Sequence, residues 1–456
     1  MRITKSAIPG VVWPAVPDAH AARLLALLWQ FEQSERWPAG EILNHQLRQL
    51  SLIIDHAWRH VPFYRERLDT AGWSAGRVLT FEQLRRIPAL TRRDLQDGVV
   101  ALRSTVVPQQ LGNVQESRSS GSTGQPVLVL RTALDGLLWQ ANALRDHQWH
   151  GRDQTLKLAA IRAVAPGVAD PPQGAIAAGW GPASEALCVT GPAALLSLSA
   201  GIDTQAAWIS RQAPDYLLTY PSNLAALLDH FVAAGEWVSG LRAVLTVGET
   251  VSLRLRQQCR EVLGVDIEDA YSSQELGYIA LQCPVSGQYH VMAESVLLEV
   301  LDANDRPCAP GETGRLVVSS LHNQAMPLIR YELGDYATVG QPCSCGRTLP
   351  TLERIAGRER NMLRLPDGGR RWPIIGPLPY RDVAPVRRFQ MIQHSLEDLE
   401  VRLVTDRALS ATEESQLARM ITESLCHPFR IRFSRFEKEL PRPASGKFED
   451  FVCAIG

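Results

Sequence analysis

Five short segments of this 456-residue chain carry residue types at spacings that could do chemistry. The first is Ser119-Ser120-Gly121-Ser122-Thr123-Gly124-Gln125-Pro126, followed by the apolar run Val127–Leu130. Four hydroxyls and two glycines in eight residues suit an anion cradle: glycine lets the backbone approach a ligand, and peptide N–H groups converge on phosphate oxygens beside the Ser and Thr donors. A solvated Ser/Gly linker has the same composition, but this loop runs straight into a strand-like segment. It is not the Walker loop, because no Gly-Lys-Ser/Thr follows. The second segment is Ala270-Tyr271-Ser272-Ser273-Gln274-Glu275-Leu276-Gly277: a ring that can stack on a base, near a carboxylate that can hold Mg²⁺. A strand end with a core tyrosine is the alternative. The third is Arg330-Tyr331-Glu332-Leu333-Gly334-Asp335, where a carboxylate after a glycine turn could accept bonds from ribose hydroxyls or simply cap a turn. The fourth, Pro443-Ala444-Ser445-Gly446-Lys447, presents a lysine that could bridge a carboxylate and a phosphate, or sit solvated. Only four of the 47 basic residues are lysine, and the rest are arginine; arginine cannot reproduce a compact rotatable ammonium.

The fifth group is Cys283, His290, Cys343 and Cys345, three thiolates and an imidazole that form a plausible tetrahedral zinc set. With four protein ligands such a site is closed, hence structural; chance clustering is the alternative. Cys188, Cys259, Cys308 and Cys453 lack ligand-like partners and read as buried small hydrophobes.

The elements that must position these groups follow from periodicity. Residues 17–34 and about 40–60 read as amphipathic helices, the second broken at Val61-Pro62. Leu134, Leu137, Leu138, Ala141 and Leu144 recur at helical spacing. From about 155 to 275 the apolar runs Leu156–Val164, Ala186–Val189, Tyr216–Leu218 and Ala243–Val247 alternate with helical patterns, which argues for a parallel α/β sheet. Antiparallel strands with turn signals fill 290–340. A last unit begins near Gly357-Arg358, with strands at 398–404 and 428–436 and a helix at 411–425. The net charge of −1 gives no broad nucleic-acid or membrane footprint, and no run approaches about 20 apolar residues, so a cytoplasmic setting is expected.

Taken in order, the loop, the Tyr271–Glu275 segment, the Arg330–Asp335 segment, Gly357-Arg358 and the Ser445-Gly446-Lys447 tail resemble adenylate-forming enzymes of the acyl-CoA synthetase superfamily. Val61-Pro62-Phe63-Tyr64, Ile87-Pro88-Ala89-Leu90-Thr91 and Met326–Tyr331 make the chain most similar to the phenylacetate–CoA ligase branch, from about residue 50 to the end. The resemblance implies a mixed α/β N-terminal ATP- and acyl-binding domain (1–356) and a small mobile α+β C-terminal domain (357–456). It implies that ATP activates a carboxylic acid to an acyl adenylate, which a thiol then takes. In that scheme Ser119, Ser120, Gly121, Ser122, Thr123 and Gly124 hold the phosphates, Tyr271 and Ser272 meet the adenine, Glu275 ligates Mg²⁺, Asp335 binds the ribose, Arg358 contacts the nucleotide and Lys447 serves adenylation. Some members of the branch carry a structural zinc on a similar Cys/His pattern. Two departures stand out: the family usually has an acidic hinge after Gly-Arg where this chain reads Glu359-Arg360-Asn361, and Val127 rather than lysine follows Pro126, which this branch often tolerates.

The acyl pocket is expected among Trp180, Tyr220, Pro221, Ser222 and Val247–Thr250, and aromatic and small residues there suit an aryl or arylacetic monoacid. The expected partners are that acid and CoA, with an acyl carrier protein or an amine as alternative acceptors, and a homodimer stays open. Arg430, Arg432, Arg435 and Arg442 could meet the acceptor's phosphates or form a solvated face. A nucleotide-binding protein without ligase activity is the reading from a different class.

Overall fold

The computed structural model describes residues 5–118, 127–236, 238–358, 361–373, 380–437, 440–441 and 448–455. Its N-terminal helices match the periodicity. Asp18 caps Ala19–Ser34 by accepting from the Ala21 N–H. Ala39–His60 buries Leu47, Leu50, Ile53, Ile54 and Ala57 along one face, each large side chain contributing roughly 1.5–3 kcal/mol. The helix stops at extended Val61, and Pro62 starts the next one, Pro62–Thr70, where its missing N–H costs nothing.

Strands β1 (Val114–Arg118) and β2 (Leu128–Thr132) pair antiparallel with Arg118 opposite Leu128, so the chain between them is anchored at both ends. The central sheet then collects β3 (Leu158–Arg162), β4 (Ala175–Ala177), β5 (Ala193–Ser197), β6 (Tyr216–Thr219), β7 (Ala243–Val247) and β8 (Ile267–Ser273). It continues through β9 (Gly277–Gln282), β10 (Tyr289–Val291), β11 (Val296–Leu301), β12 (Thr313–Ser320), β13 (Tyr331–Val339) and β14 (Thr351–Arg358). The order is β11-β12-β13-β14-β10-β9-β8-β7-β6-β3-β5-β4. Neighbours from β5 to β8 are parallel, while β4 and everything from β9 onward are antiparallel. One twelve-stranded sheet therefore holds the expected parallel and antiparallel textures. Helices Ile202–Gln212, Pro221–Ala234 and Leu253–Leu263 cover one face of the parallel half through Trp208, Leu224, Leu227, Phe231 and Cys259.

One expected strand is corrected. The run Ala186–Val189 falls at the end of helix Pro182–Leu187, and the strand is Ala193–Ser197. Pro182 at the first helical position sets the helix, and a four-residue apolar run carries no period with which to resist it.

Beyond Arg358, β15 (Leu363–Arg364) and β16 (Arg370–Arg371) form a ribbon, and β17 (Val386–Gln393), β18 (Asp398–Thr405), β19 (Arg430–Phe436) and β20 (Phe451–Cys453) form a separate sheet ordered β19-β18-β17-β20. Helix Ala411–Leu425 packs on it through Leu417, Ile421 and Leu425, against Val401 and Phe451. β18, β19 and the helix match the sequence reading; β17 and β20 are additional.

Candidate functional site

The carboxyl ends of β6, β7 and β8 lie side by side, and in sheets of this type ligands gather at that edge. Tyr271 sits near the end of β8, and its hydroxyl donates to Asp335 Oδ2 at 2.7 Å. Asp335 lies in β13 directly opposite Arg358 of β14, whose Nε donates to Asp335 Oδ1 at 3.2 Å. Burial, and then the Asp335 carboxylate, push the Tyr271 hydroxyl well above its ordinary value, so it stays a neutral donor. Burial, the largest single influence, would weaken the Arg358 charge, but Asp335, Glu449, Tyr271 and Glu275 together more than offset it and raise the guanidinium above its usual value. Gly357 precedes Arg358 at φ 110°, and a Cβ there would press on Asn361 Oδ1 and the Trp372 ring at 3.4 Å, so glycine is required. Asn361 Oδ1 accepts the Arg358 backbone N–H at 2.9 Å, and its Nδ2 donates to the Phe451 carbonyl at 2.7 Å.

Glu275 occupies the turn between β8 and β9, 9% exposed, with Oε1 3.7 Å from Arg92 Nη1. Arg92 opens a helix fixed by a Thr91/Asp94 capping box. A carboxylate oxygen in this turn suits a hard divalent cation, which would share Glu275 with Arg92. Ser272 stands beside Tyr271, opposite Tyr278 on β9. Ser117 Oγ on β1 donates to Gln274 Oε1 at 3.4 Å, tying the strand that leads into Ser119–Gly124 to the same turn. Ser119 to Gly124 and Lys447 themselves lie outside the described residues.

The turn after β7 brings Glu249 to Ser222: Oε2 accepts the Ser222 N–H at 2.8 Å and Oε1 accepts its hydroxyl at 3.0 Å. Oε1 also accepts the backbone N–H of Phe448, the residue after Lys447, at 3.0 Å. Tyr220, Pro221 and Ser222 thus sit at the strand edge, as the pocket reading requires. Trp180 does not. Its Nε1 donates to the Leu156 carbonyl at 2.8 Å, and it packs with Leu158, Ala193, Tyr216 and Ala243, the opening residues of four strands. It belongs to the core at the opposite end of the sheet.

The cysteine cluster assembles from three places: Cys283 after β9, His290 within β10, and Cys343 and Cys345 in the β13–β14 connection. Their ligand atoms all lie within 4.8 Å of one another, with Cys283 Sγ 3.7 Å from Cys343 Sγ and Cys345 Sγ 3.3 Å from His290 Nε2. Thiolates about 2.3 Å from a tetrahedral centre stand about 3.8 Å apart, so the set fits zinc. Burial pushes His290 down to about 4, which leaves a neutral imidazole. Arg347 stacks 4.2 Å over Trp149, whose ring meets His290 edge-on at 5.5 Å, and pairs with Glu35 at 3.0 Å. Of the remaining cysteines, Cys188, Cys259 and Cys453 are buried as expected, Cys308 is half-buried and Cys426 is exposed. Arg430 is held bidentate by Asp398 at 2.8 and 2.9 Å, which consumes one of the arginines considered for the acceptor's phosphates.

Sequence reasoning missed Arg92, Glu249's second partner, Asn361 and the support around the cysteines. Only Arg92 had a signal, standing directly after the Ile87–Thr91 motif.

The AMP-binding enzyme family matches residues 119–326. Phenylacetate–coenzyme A ligase of Escherichia coli strain K12 is 27% identical over 331 residues, 71% of this chain and 72% of that protein. The enzyme of the same name from Thermus thermophilus is 29% identical over 340 residues, covering 72% and 73%. Among solved structures, 2-hydroxyisobutyryl-CoA ligase in the postadenylation state with 2-HIB-AMP shares the fold: the TM-score is 0.73 at 19% identity, over 92% of this chain and 91% of that one. Fold, site and family match together support an adenylate-forming enzyme. Within that class the curated relatives support the phenylacetate–CoA ligase-like branch.

Proposed function

We propose that the protein uses ATP to convert a carboxylic acid to an acyl adenylate and then passes the acyl group to the thiol of CoA. The observation that carries this reading is the Tyr271–Asp335–Arg358 cluster, with the residue after Lys447 bonded to the Glu249 turn. In the first step an oxygen of the acid attacks the α-phosphorus and the bond to pyrophosphate breaks. In the second, the sulfur attacks the acyl carbon and AMP leaves with the bonding pair.

Each side chain has a definable task. Tyr271 offers a face to adenine, with its hydroxyl tethered so that the ring is pre-oriented. Asp335 has lone pairs beyond those used by Tyr271 and Arg358, enough to accept from ribose hydroxyls. Ser119–Gly124 would wrap the phosphates, and Ser272 would border the adenine. Lys447 would neutralise charge developing between carboxylate and α-phosphate, an effect of about 10²–10³ in rate for one well-placed donor. Mg²⁺, held by Glu275, would neutralise the phosphates. A zinc ion on Cys283, His290, Cys343 and Cys345 would be structural, clamping β9 and β10 to the β13–β14 connection.

The acid is proposed to be aryl or arylacetic, which the relatives' names and the Tyr220–Ser222 edge support. The chain divides just after Arg358, two residues beyond the expected 356/357, because β14 keeps Gly357 and Arg358 paired in the large sheet, and its setting is the cytoplasm. The latter is supported by free thiols, and among the described residues no helix is long and apolar enough to cross a membrane.

Pyrophosphate release from Mg-ATP across a panel of aryl and short acyl acids, without and then with CoA, tests the proposal. Acid-dependent release that rises with CoA and yields an acyl thioester is the expected result. Release that CoA leaves unchanged points to a carrier-protein thiol or an amine, and silence across the panel sinks the reading.

A further inference from the structure

We infer that Glu249 is a positioning residue for the adenylation step: its carboxylate holds the chain that follows Lys447 against the strand edge where acid and ATP meet. This rests on the proposed function.

Glu249 is well placed to anchor another segment. The turn containing it follows β7, and both of its oxygens are fixed by Ser222 in the first turn of helix Pro221–Ala234. Helix N-termini carry unpaired N–H groups and favour negative charge, so the start of this helix suits the carboxylate. Phe448 adds a bond from its backbone N–H to Oε1 at 3.0 Å. Phe448 is 6% exposed, and Arg388 of β17 lies 4.2 Å over its ring. Arg388 Nη2 also donates to the Ser222 carbonyl at 3.3 Å, so Ser222 is gripped by Glu249 on one side and by the small sheet on the other. From Phe448 the contacts continue without a break. The Glu449 carbonyl accepts from Gln390, the Phe451 carbonyl accepts from Asn361, and Asn361 accepts from the Arg358 N–H. Arg358 then reaches Asp335 and Tyr271. A single chain of contacts thus joins the acid-side turn to the nucleotide cluster through the residues flanking Lys447.

The two half-reactions place opposite demands on this edge. Adenylation needs an ammonium beside the α-phosphate, in a site closed to water. Thioester formation needs the same acyl carbon open to a thiol. One charge-assisted backbone bond suits both, strong enough to favour closure and weak enough to release.

The test is Glu249→Ala, with the isosteric Glu249→Gln as a second variant that guards against misfolding. Phe448→Pro removes the N–H from the other side, and Phe448→Ala keeps it while losing the ring. Pyrophosphate release is measured with phenylacetate, or with whichever panel acid is fastest. Thioester formation is measured separately from that acid's synthetic adenylate plus CoA. The expected result is a fall in kcat for pyrophosphate release of about 10- to 100-fold in Glu249→Ala, while thioester formation changes less than about 3-fold. Glu249→Ala combined with Phe448→Pro should fall no further than the worse single variant, because each breaks the same Phe448–Glu249 bond. Equal loss in both half-reactions, or a rise in KM for the acid with kcat intact, overturns the inference and leaves the proposed function standing. An unaltered chain that releases no pyrophosphate with any acid overturns both.

Discussion

The Tyr271–Asp335–Arg358 cluster, proposed above to bind the nucleotide, and the cysteine cluster are carried largely by the same antiparallel half of one sheet, yet they are built in opposite ways. Tyr271, Asp335 and Arg358 satisfy one another across strands β8, β13 and β14, which keeps buried charges paired when no ligand is bound. Each retains capacity for a further partner. The sulfur and nitrogen atoms of Cys283, His290, Cys343 and Cys345 instead converge on a common point, with four donors for a four-coordinate ion and no position left over. Under the proposed roles, a site that exchanges ligands keeps its charges in mutual, replaceable bonds, whereas a site that holds shape points its donors inward. The comparison can be broken or sharpened by the effect of each residue on the adenylation rate.

The largest effect is expected at Lys447. Lys447→Ala should lower acid-dependent pyrophosphate release by about 10²–10³-fold with the melting temperature unchanged. An unchanged rate would remove Lys447 from the step and return weight to a nucleotide-binding protein that ligates nothing. Asp335→Ala comes next, because it removes the carboxylate that holds Arg358 Nε and the Tyr271 hydroxyl together. A fall in kcat/KM for ATP of about 10- to 100-fold is expected, appearing mainly in KM. Loss confined to stability would make the cluster a fold element and erase the contrast. Tyr271→Phe should cost only about 3- to 10-fold, since the ring remains and one hydrogen bond is lost. A Phe variant as impaired as Tyr271→Ala would mean that the hydroxyl, and not the ring, carries the contact.

How much of this was legible in the sequence depends on how far apart the partners lie. The helices Ala19–Ser34, Ala39–His60 and Ala411–Leu425 show local periodicity, and the structure returns each within two residues of the reading. The cysteine set was visible because its residue types are rare and have few other uses in combination. The cluster residues Tyr271, Asp335 and Arg358 were visible only through motif order, since nothing local to Asp335 announces a bond to a tyrosine 64 residues away. The Glu249–Phe448 bond spans 199 residues and uses a backbone donor that any amino acid but proline supplies, so no side-chain pattern could mark it. Trp180 was misjudged for a related reason: an aromatic next to glycines looks the same at either end of a strand, and only the topology places it among the opening residues of β3, β5, β6 and β7. Strand β17 was missed because Arg387, Arg388 and Gln390 interrupt its apolar alternation. Arg388 and Gln390 reach Ser222, Phe448 and the Glu449 carbonyl, and Arg387 reaches the Glu437 carbonyl and Asp406.

The smallest effect on rate belongs to the cysteine cluster, where the comparison meets its strictest test. Cys283→Ser, or stripping metal with a chelator, should take bound zinc from about one per chain to near zero and lower the melting temperature by roughly 5 °C or more. Pyrophosphate release per folded molecule should stay within about 2-fold, because a closed four-ligand site has no coordination position to offer a substrate. KM for ATP is the sensitive readout. Cys283 follows β9, the strand that pairs with Tyr271 on β8, and the Cys343–Cys345 connection joins the strands bearing Asp335 and Arg358. If KM rises more than about 10-fold when the metal is lost, the clamp sets the distance between Tyr271 and Asp335, and the two clusters form one device. If KM holds while stability falls, the hydrogen bonds of the nucleotide cluster set that distance by themselves.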